Sequence, residues 1–191
     1  MSWRLQTDVE IQGSVYNIRS DYRAILDICT ALSDPELTEQ ERVYTALQIF
    51  YPSFSEMPPQ HIQQAVEECY KFINLGKLET EDKKSPRLVD WETDFVHIAG
   101  PVNRIAGTEI RAVEYMHWWT FIALYNEIGD CYFAQIVRIR DKKAKGKPLD
   151  KSDREFYRNN RDVIDLDPRY TQAEQDLFDM WTGRGEKDAQ C

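Results

Sequence analysis

Apolar residues recur every three or four positions along most of the chain. This spacing places them on one face of a helix and is typical of amphipathic helices in globular proteins. The pattern predicts helices over about residues 21–32, 38–50, 59–76, 90–107, 110–128, 131–140, 152–163 and 171–181.

Two short segments near the N-terminus instead alternate with a period of two. Residues 8–11 and 14–18 alternate polar and apolar side chains, and Gln12 and Gly13 between them form a turn sequence. This pattern predicts a β-hairpin, which must pack its apolar side on a helix because an isolated hairpin is only marginally stable. The predicted fold is therefore mainly α, a multi-helix bundle with a small N-terminal β-hairpin.

Several helix ends are marked by local signals. Thr38, Ser152 and Thr171 are each followed three residues later by Glu, which is a capping-box sequence. Asp90 is a further candidate cap. Pro101 predicts a kink or a division in the helix that Gly107 would end.

Residues 77–87 are polar, charged and without pattern, so they are predicted to be a linker. The predicted organisation is a hairpin with three helices over 1–76, an aromatic-rich helical region over 88–181 and a flexible tail over 182–191. At 191 residues the chain is long enough to form one compact unit with its own core.

The stretch 114–140 is the most hydrophobic part of the chain and is predicted to be its centre. It contains Trp118 and Trp119 side by side, followed by several large apolar residues. The short turn at Gly129 and Asp130 predicts that the helices before and after it are antiparallel neighbours.

The net charge of −9 argues against a general nucleic-acid binder. The charge is unevenly distributed, however: residues 1–75 carry five Lys and Arg against eleven Asp and Glu, and residues 131–161 carry ten against four. No apolar run is long enough for a membrane span, and the N-terminus lacks the apolar core of a secretion signal. We therefore expect a cytoplasmic protein whose four widely spaced cysteines are reduced thiols.

Two acid-x-x-His sequences raise the question of metal chemistry. Asp94 with His97, and Glu114 with His117, would each share a helical face, as in half of a di-iron carboxylate site. The other half has no counterpart in the sequence, and the motifs of hydrolases, nucleotide-binding loops and dinucleotide-binding folds are missing. No catalytic, cofactor-binding or metal-binding residue is predicted, and a metal-dependent helical-bundle enzyme is the third alternative.

Interaction with another macromolecule is the stronger expectation. Aromatic residues exceed what one small core needs, which predicts an exposed apolar patch. The basic segment 138–161 has several interpretations: a solvated helix face, which is favoured, a contact with an acidic partner or with the chain's own acidic N-terminal half, or, as an alternative function, a contact with DNA. The candidate partner-binding residues are Tyr44, Phe50, Tyr51, Phe54, Trp118, Trp119, Arg138, Arg140, Phe178 and Trp181.

Several stretches between about residues 8 and 165 together resemble the bacteriophage gene-product-fifteen family. They are residues 16–23, 47–51 and 90–94, and above all 116–121 with 136–140. The family commonly has a Tyr-Gly-Ile-Asp-Leu-like turn where this chain has residues 106–110, and a tyrosine where it has Ile139.

The resemblance implies a non-enzymatic protein of tailed phages and prophages. Its members are usually encoded just ahead of the tape-measure protein, in the place of tail-assembly chaperones. The implied partners are the tape-measure protein and the tail-tube protein, with self-association left open. The implied role is to keep the amphipathic helices of the tape measure soluble until the tail tube forms around them.

Overall fold

The computed structural model describes residues 4–77 and 86–166. Within these ranges the chain forms a two-stranded antiparallel sheet and eight α-helices, which confirms the predicted fold class. The elements are β1 (Asp8–Ile11), β2 (Ser14–Asn17), α1 (Tyr22–Leu32), α2 (Glu39–Phe50), α3 (Ile62–Ile73), α4 (Trp91–Ala106), α5 (Trp118–Asn126), α6 (Tyr132–Ala144), α7 (Lys151–Asn159) and α8 (Arg161–Ile164).

The N-terminal hairpin packs on the region that leads into α3, as its alternating sequence requires. Val9 and Ile11 point inward and are buried, and the turn uses positive φ angles at Gln12 and Gly13. The Tyr16 hydroxyl lies 2.8 Å from Nδ1 of His61, within hydrogen-bond distance. The hairpin is therefore held by both apolar burial and a polar contact.

Three predicted helix starts are confirmed by their hydrogen bonds. Asp21 and Asp90 accept backbone N–H groups of the first turns of α1 and α4. Thr38 and Glu41 form the reciprocal capping box at α2. Gly107 ends α4 in the left-handed conformation at φ 68°.

Three boundary predictions are wrong. The predicted helix over 110–128 is interrupted, and α5 begins only at Trp118, after an irregular segment that is bonded to α1. The helix predicted over about 131–140 continues further, as α6, to Ala144. The helix expected to begin at the Ser152 capping box is instead capped by Asp150. Pro101 lies inside α4 and does not divide it.

The described parts before and after residues 78–85 share one hydrophobic core, whose buried members lie between Val9 and Ile164. Trp118 donates its indole N–H to the carbonyl of Ile73 at 3.0 Å, and Trp119 donates to the carbonyl of Phe72 at 2.9 Å. These bonds fix α5 against the end of α3. Most of the predicted linker, together with the tail, lies outside the described residues.

The two helices around Gly129 both pack on α4 rather than mainly on each other, which corrects the predicted helical hairpin. α6 is tied to α4 by a buried ion pair, in which the Arg140 guanidinium binds both carboxylate oxygens of Asp94 at 2.6 and 3.0 Å. Arg140 also donates to backbone carbonyls of Leu88, Val163 and Ile164. This cation therefore joins three parts of the C-terminal half.

Candidate partner-binding groove

An open apolar groove lies on the surface of α2, and we define it by its seven lining residues. α2 supplies five of them, the 3₁₀ turn Phe54–Glu56 supplies one and the first residue of α3 supplies one. The groove has a volume of about 450 Å³. Its lining residues are Glu39, Gln40, Val43, Tyr44, Leu47, Phe54 and Ile62.

Helical periodicity explains why α2 presents this surface. Its lining positions 39, 40, 43, 44 and 47 fall on one side of a helix with 3.6 residues per turn. The neighbouring positions Ala46 and Phe50 are buried in the core. α2 thus has an apolar arc wider than the core can cover, and the surplus forms the groove.

Two aromatic rings form the open side of the groove. Tyr44 is 55% exposed and packs edge-to-face on Phe54, with ring centroids 5.2 Å apart. Ile62 is 37% exposed, whereas Leu47 is buried at 2% and lies at the bottom of the groove. An exposed tyrosine packed on a partly buried phenylalanine, beside a buried aliphatic side chain, is the composition expected of an anchor site for apolar side chains.

The only charged lining residue is Glu39, in the first turn of α2. Its side chain is exposed and forms no ion pair within residues 4–77 and 86–166. Burial, the nearby Cys69 and the Glu39 carboxylate raise the pKa of Tyr70, which places this α3 residue within electrostatic reach of Glu39. No Lys or Arg lines the groove.

The structure separates the predicted partner-binding aromatics into two groups. Tyr44 and Phe54 lie together in the groove. Phe50 and Tyr51 are fully buried, and Tyr51 donates its hydroxyl to the Ala65 carbonyl at 3.0 Å. Phe50 and Tyr51 therefore belong to the core and present no surface to a partner.

The remaining candidates do not join the groove. Trp118 is buried and Trp119 is half-buried, and the indole N–H of each is already bonded to α3 backbone. Arg140 is only 5% exposed, so its prediction as a surface contact is wrong: the buried Asp94 carboxylate holds it inside. Phe178 and Trp181 lie outside the described residues.

Sequence reasoning did not name Val43 or Ile62 as surface positions, although both line the groove. The periodic pattern shows which residues share a face, but it does not show how much of that face a neighbour covers.

Most cations of the basic segment are paired inside the fold. Arg138 and Lys142 both bind the buried Asp153, and Lys143 and Arg161 both bind Asp165. Lys145 pairs with Asp141 at 2.5 Å. Exposed cations without an ion pair to any described residue remain at Lys147, Lys151, Arg154 and Arg158.

The acid-x-x-His sequences are not assembled into a ligand set. Nδ1 of His117 accepts the Trp119 N–H at 3.0 Å, and Nε2 lies 2.9 Å from the Gln6 carbonyl oxygen, to which it donates. Glu114 lies outside any helix, and the Asp94 carboxylate is occupied by Arg140. Within residues 4–77 and 86–166, no group of three His, Cys, Asp or Glu residues is arranged to hold a metal ion.

The family was determined by comparison with known sequences. The family model described as Bacteriophage Gp15 protein matches residues 1–98 and 107–166, which is most of the chain. The chain belongs to this family. No curated protein and no solved structure gives a significant match. The resemblance proposed from the sequence is thereby confirmed.

All seven groove residues of this Bacteriophage Gp15 protein family member lie within the first matched segment. Of the helices that the structure describes, none is both long and apolar enough to cross a membrane. Chemically, the groove offers apolar and aromatic contact area with one carboxylate at its edge, an arrangement suited to binding another protein segment.

Proposed function

We propose that this protein is a non-enzymatic tail-assembly chaperone that acts in the host cytoplasm. It binds amphipathic helices of the tape-measure protein and keeps them soluble while the tail tube assembles. The observation that carries the proposal is the open apolar groove on α2. Family membership supports a phage role, and the groove supplies the kind of surface that such a role needs.

The size of the groove suits reversible binding. Three large apolar side chains entering it would each contribute roughly 1.5–3 kcal/mol through removal from water. Association itself costs about 4–15 kcal/mol in lost rigid-body freedom. A single helix is therefore held weakly, so a polymerising tail tube can displace the chaperone.

Co-expression tests this function directly. The tape-measure protein encoded beside this chain is expressed alone and together with the chain, and its soluble fraction is measured by quantitative gel analysis after centrifugation. We expect co-expression to raise that fraction. An unchanged soluble fraction with the wild-type chain would refute the chaperone role.

Two matched variants locate the effect. Tyr44→Glu places a charge in the groove at a side chain that is 55% exposed, so the core is left intact. Val96→Glu places the same charge on α4 at a side chain that is 69% exposed and outside the groove. We expect only Tyr44→Glu to abolish solubilisation.

A second candidate function is contact with DNA. It is favoured by Lys151, Arg154 and Arg158, which lie on one face of α7 at i, i+3 and i+7, with Lys147 just before that helix. If four such cations met phosphates, the logarithm of affinity would fall with the logarithm of salt at a slope of about −3.6. Fluorescence anisotropy with labelled duplex DNA tests this, and no salt-sensitive binding at low ionic strength would exclude it.

A further inference from the structure

We infer that the groove selects amphipathic helices with basic flanks, because Glu39 and its acidic surroundings attract cations at the edge of the apolar contact. This inference rests on the proposed function and adds the chemistry of the occupant. It concerns which tape-measure segments the chaperone holds, a property that the apolar groove alone does not determine.

The dimensions of the groove match a short helix. Its α2 wall runs from Glu39 to Leu47, which at 1.5 Å per residue is about 12 Å, or roughly two helical turns. A helix lying there presents about three anchors, at i, i+3 or i+4, and i+7. An extended segment would leave its own backbone N–H and C=O groups unpaired against apolar side chains, which is costly.

The charges at the N-terminal end of the groove are mainly acidic, and Arg42 on α2 is the exception beside the lining residues. Residues 34–41, which lead into α2 and form its first turn, contain four acids and no Lys or Arg. Glu39 is the acid of this run that lines the groove. Glu56 lies two residues after the lining residue Phe54, at the end of the 3₁₀ turn. A basic residue flanking the apolar stripe of a bound helix therefore meets an attractive field at the Glu39 end of the groove.

The same charges disfavour the chain's own most hydrophobic terminal sequence as an occupant. Residues 171–181 contain Phe178 and Trp181, but also three acids and no Lys or Arg. A second copy is disfavoured by its net charge of −9, but its α7 carries exposed cations, so the test also measures self-association. Charge complementarity with the acids at the groove thus favours a basic partner segment.

The test uses two labelled 16-residue peptides with the same leucine stripe. One peptide is flanked by Lys and the other by Glu, residues of similar helix propensity. Binding to the full-length chain is measured by fluorescence anisotropy at low and high salt. We expect the Lys peptide to bind more tightly, with the difference between the peptides shrinking as salt rises.

Glu39→Gln and Glu92→Gln form the matched pair of variants. Both acids are exposed and lie in the first turn of a helix, α2 and α4 respectively, and only Glu39 lines the groove. We expect Glu39→Gln to weaken the Lys peptide roughly two- to five-fold, the range for an exposed ion pair. Glu92→Gln should leave its affinity unchanged, and Glu39→Lys should weaken the Lys peptide further than Glu39→Gln does.

Equal binding of the two peptides by the wild-type chain would overturn the inference, as would equal effects of the two Gln variants. Light scattering on the same samples measures the mass of the chain without peptide. If the wild-type chain forms an oligomer and Tyr44→Glu converts it to a monomer, the groove binds a second copy, and the inference is overturned. Co-expression with the tape-measure protein is measured separately. If the chain prefers the Lys peptide but does not raise the soluble fraction of the tape-measure protein, the proposed function is refuted and the charge preference stands.

Discussion

The buried ion pair between α4 and α6 gives the sharpest test of how the C-terminal half is held together. Arg140 is 5% exposed and Asp94 is 2% exposed, and they form a bidentate pair at 2.6 and 3.0 Å. Asp94 also accepts the backbone N–H of Asp90 at 2.8 Å. Every charged atom of the pair therefore has a partner inside the protein.

Removing one partner leaves the other charge buried without compensation. We expect Asp94→Ala, which leaves the Arg140 cation unpaired, to lower the free energy of unfolding by about 3–5 kcal/mol. Arg140→Met should cost a similar amount, because it strands the Asp94 carboxylate and leaves the carbonyls of Val163 and Ile164 without their donor. The double variant should lose clearly less than the sum of the two single losses.

Urea unfolding followed by tryptophan fluorescence and by circular dichroism at 222 nm measures these differences. Arg138→Met is the matched control on the same helix. Arg138 is half-exposed, and its partner Asp153 retains Lys142, so the expected loss is about 0–1 kcal/mol. Losses below about 1 kcal/mol for both single variants at the buried pair would contradict the reasoning.

Three further predictions concern single residues. Burial lowers the pKa of His117, with its hydrogen bond to the Gln6 carbonyl acting in the opposite direction. Its contribution to stability is therefore complete above the unfolded pKa of about 6.5 and falls as the pH drops from there towards the lower folded value. Urea midpoints between pH 7.5 and 5 should show a steeper decline for wild type than for His117→Gln, and parallel curves would contradict this. Thr38→Ala removes the capping-box hydroxyl at α2 and should cost about 1 kcal/mol in urea unfolding, whereas no loss would show that Glu41 alone suffices as a cap. Burial raises the pKa of Cys69 to about 12, so its thiol should react with iodoacetamide appreciably only when urea unfolds the protein. Peptide mass spectrometry measures the alkylated fraction, and rapid labelling of the folded protein would contradict this burial.

The sequence predicted those features that depend on neighbouring residues. The caps at Thr38 and Asp90 are formed within one helical turn, so their sequence signatures were sufficient. The hairpin likewise follows from alternation and a two-residue turn. The family was also readable, because its signature is a set of local motifs spread along the chain.

The break before α5 depends on residues far away in the sequence. The segment that precedes Trp118 is hydrogen-bonded to the start of α1. The Asp21 carboxylate accepts the Met116 N–H at 3.0 Å, and the Ser20 backbone carbonyl accepts the Trp118 N–H at 2.8 Å. Arg23 also donates to the Val113 carbonyl. A helical pattern over 110–128 could not reveal these competing long-range bonds.

The sequence located the candidate site only in part, because burial depends on contacts between residues that are distant in the sequence. Aromatic surplus predicted an exposed apolar patch, and in the structure Tyr44 is exposed and Phe54 is partly exposed at the groove. The same surplus could not distinguish them from Phe50 and Tyr51, which are fully buried in the core. For Arg140, a position in a basic stretch indicated a surface, whereas the charge is buried by Asp94, 46 residues away.

By itself, then, the sequence determined the helical class, the hairpin, most helix starts and the family, because these depend on periodicity, capping and short motifs. Only the tertiary structure decided which part of the wide apolar arc of α2 stays open, which aromatics enter the core and which cations are neutralised. The burial of side chains and the pairing of charges are set by contacts between distant segments. Helical periodicity shows on which face a side chain lies, but it does not show which neighbour covers that face.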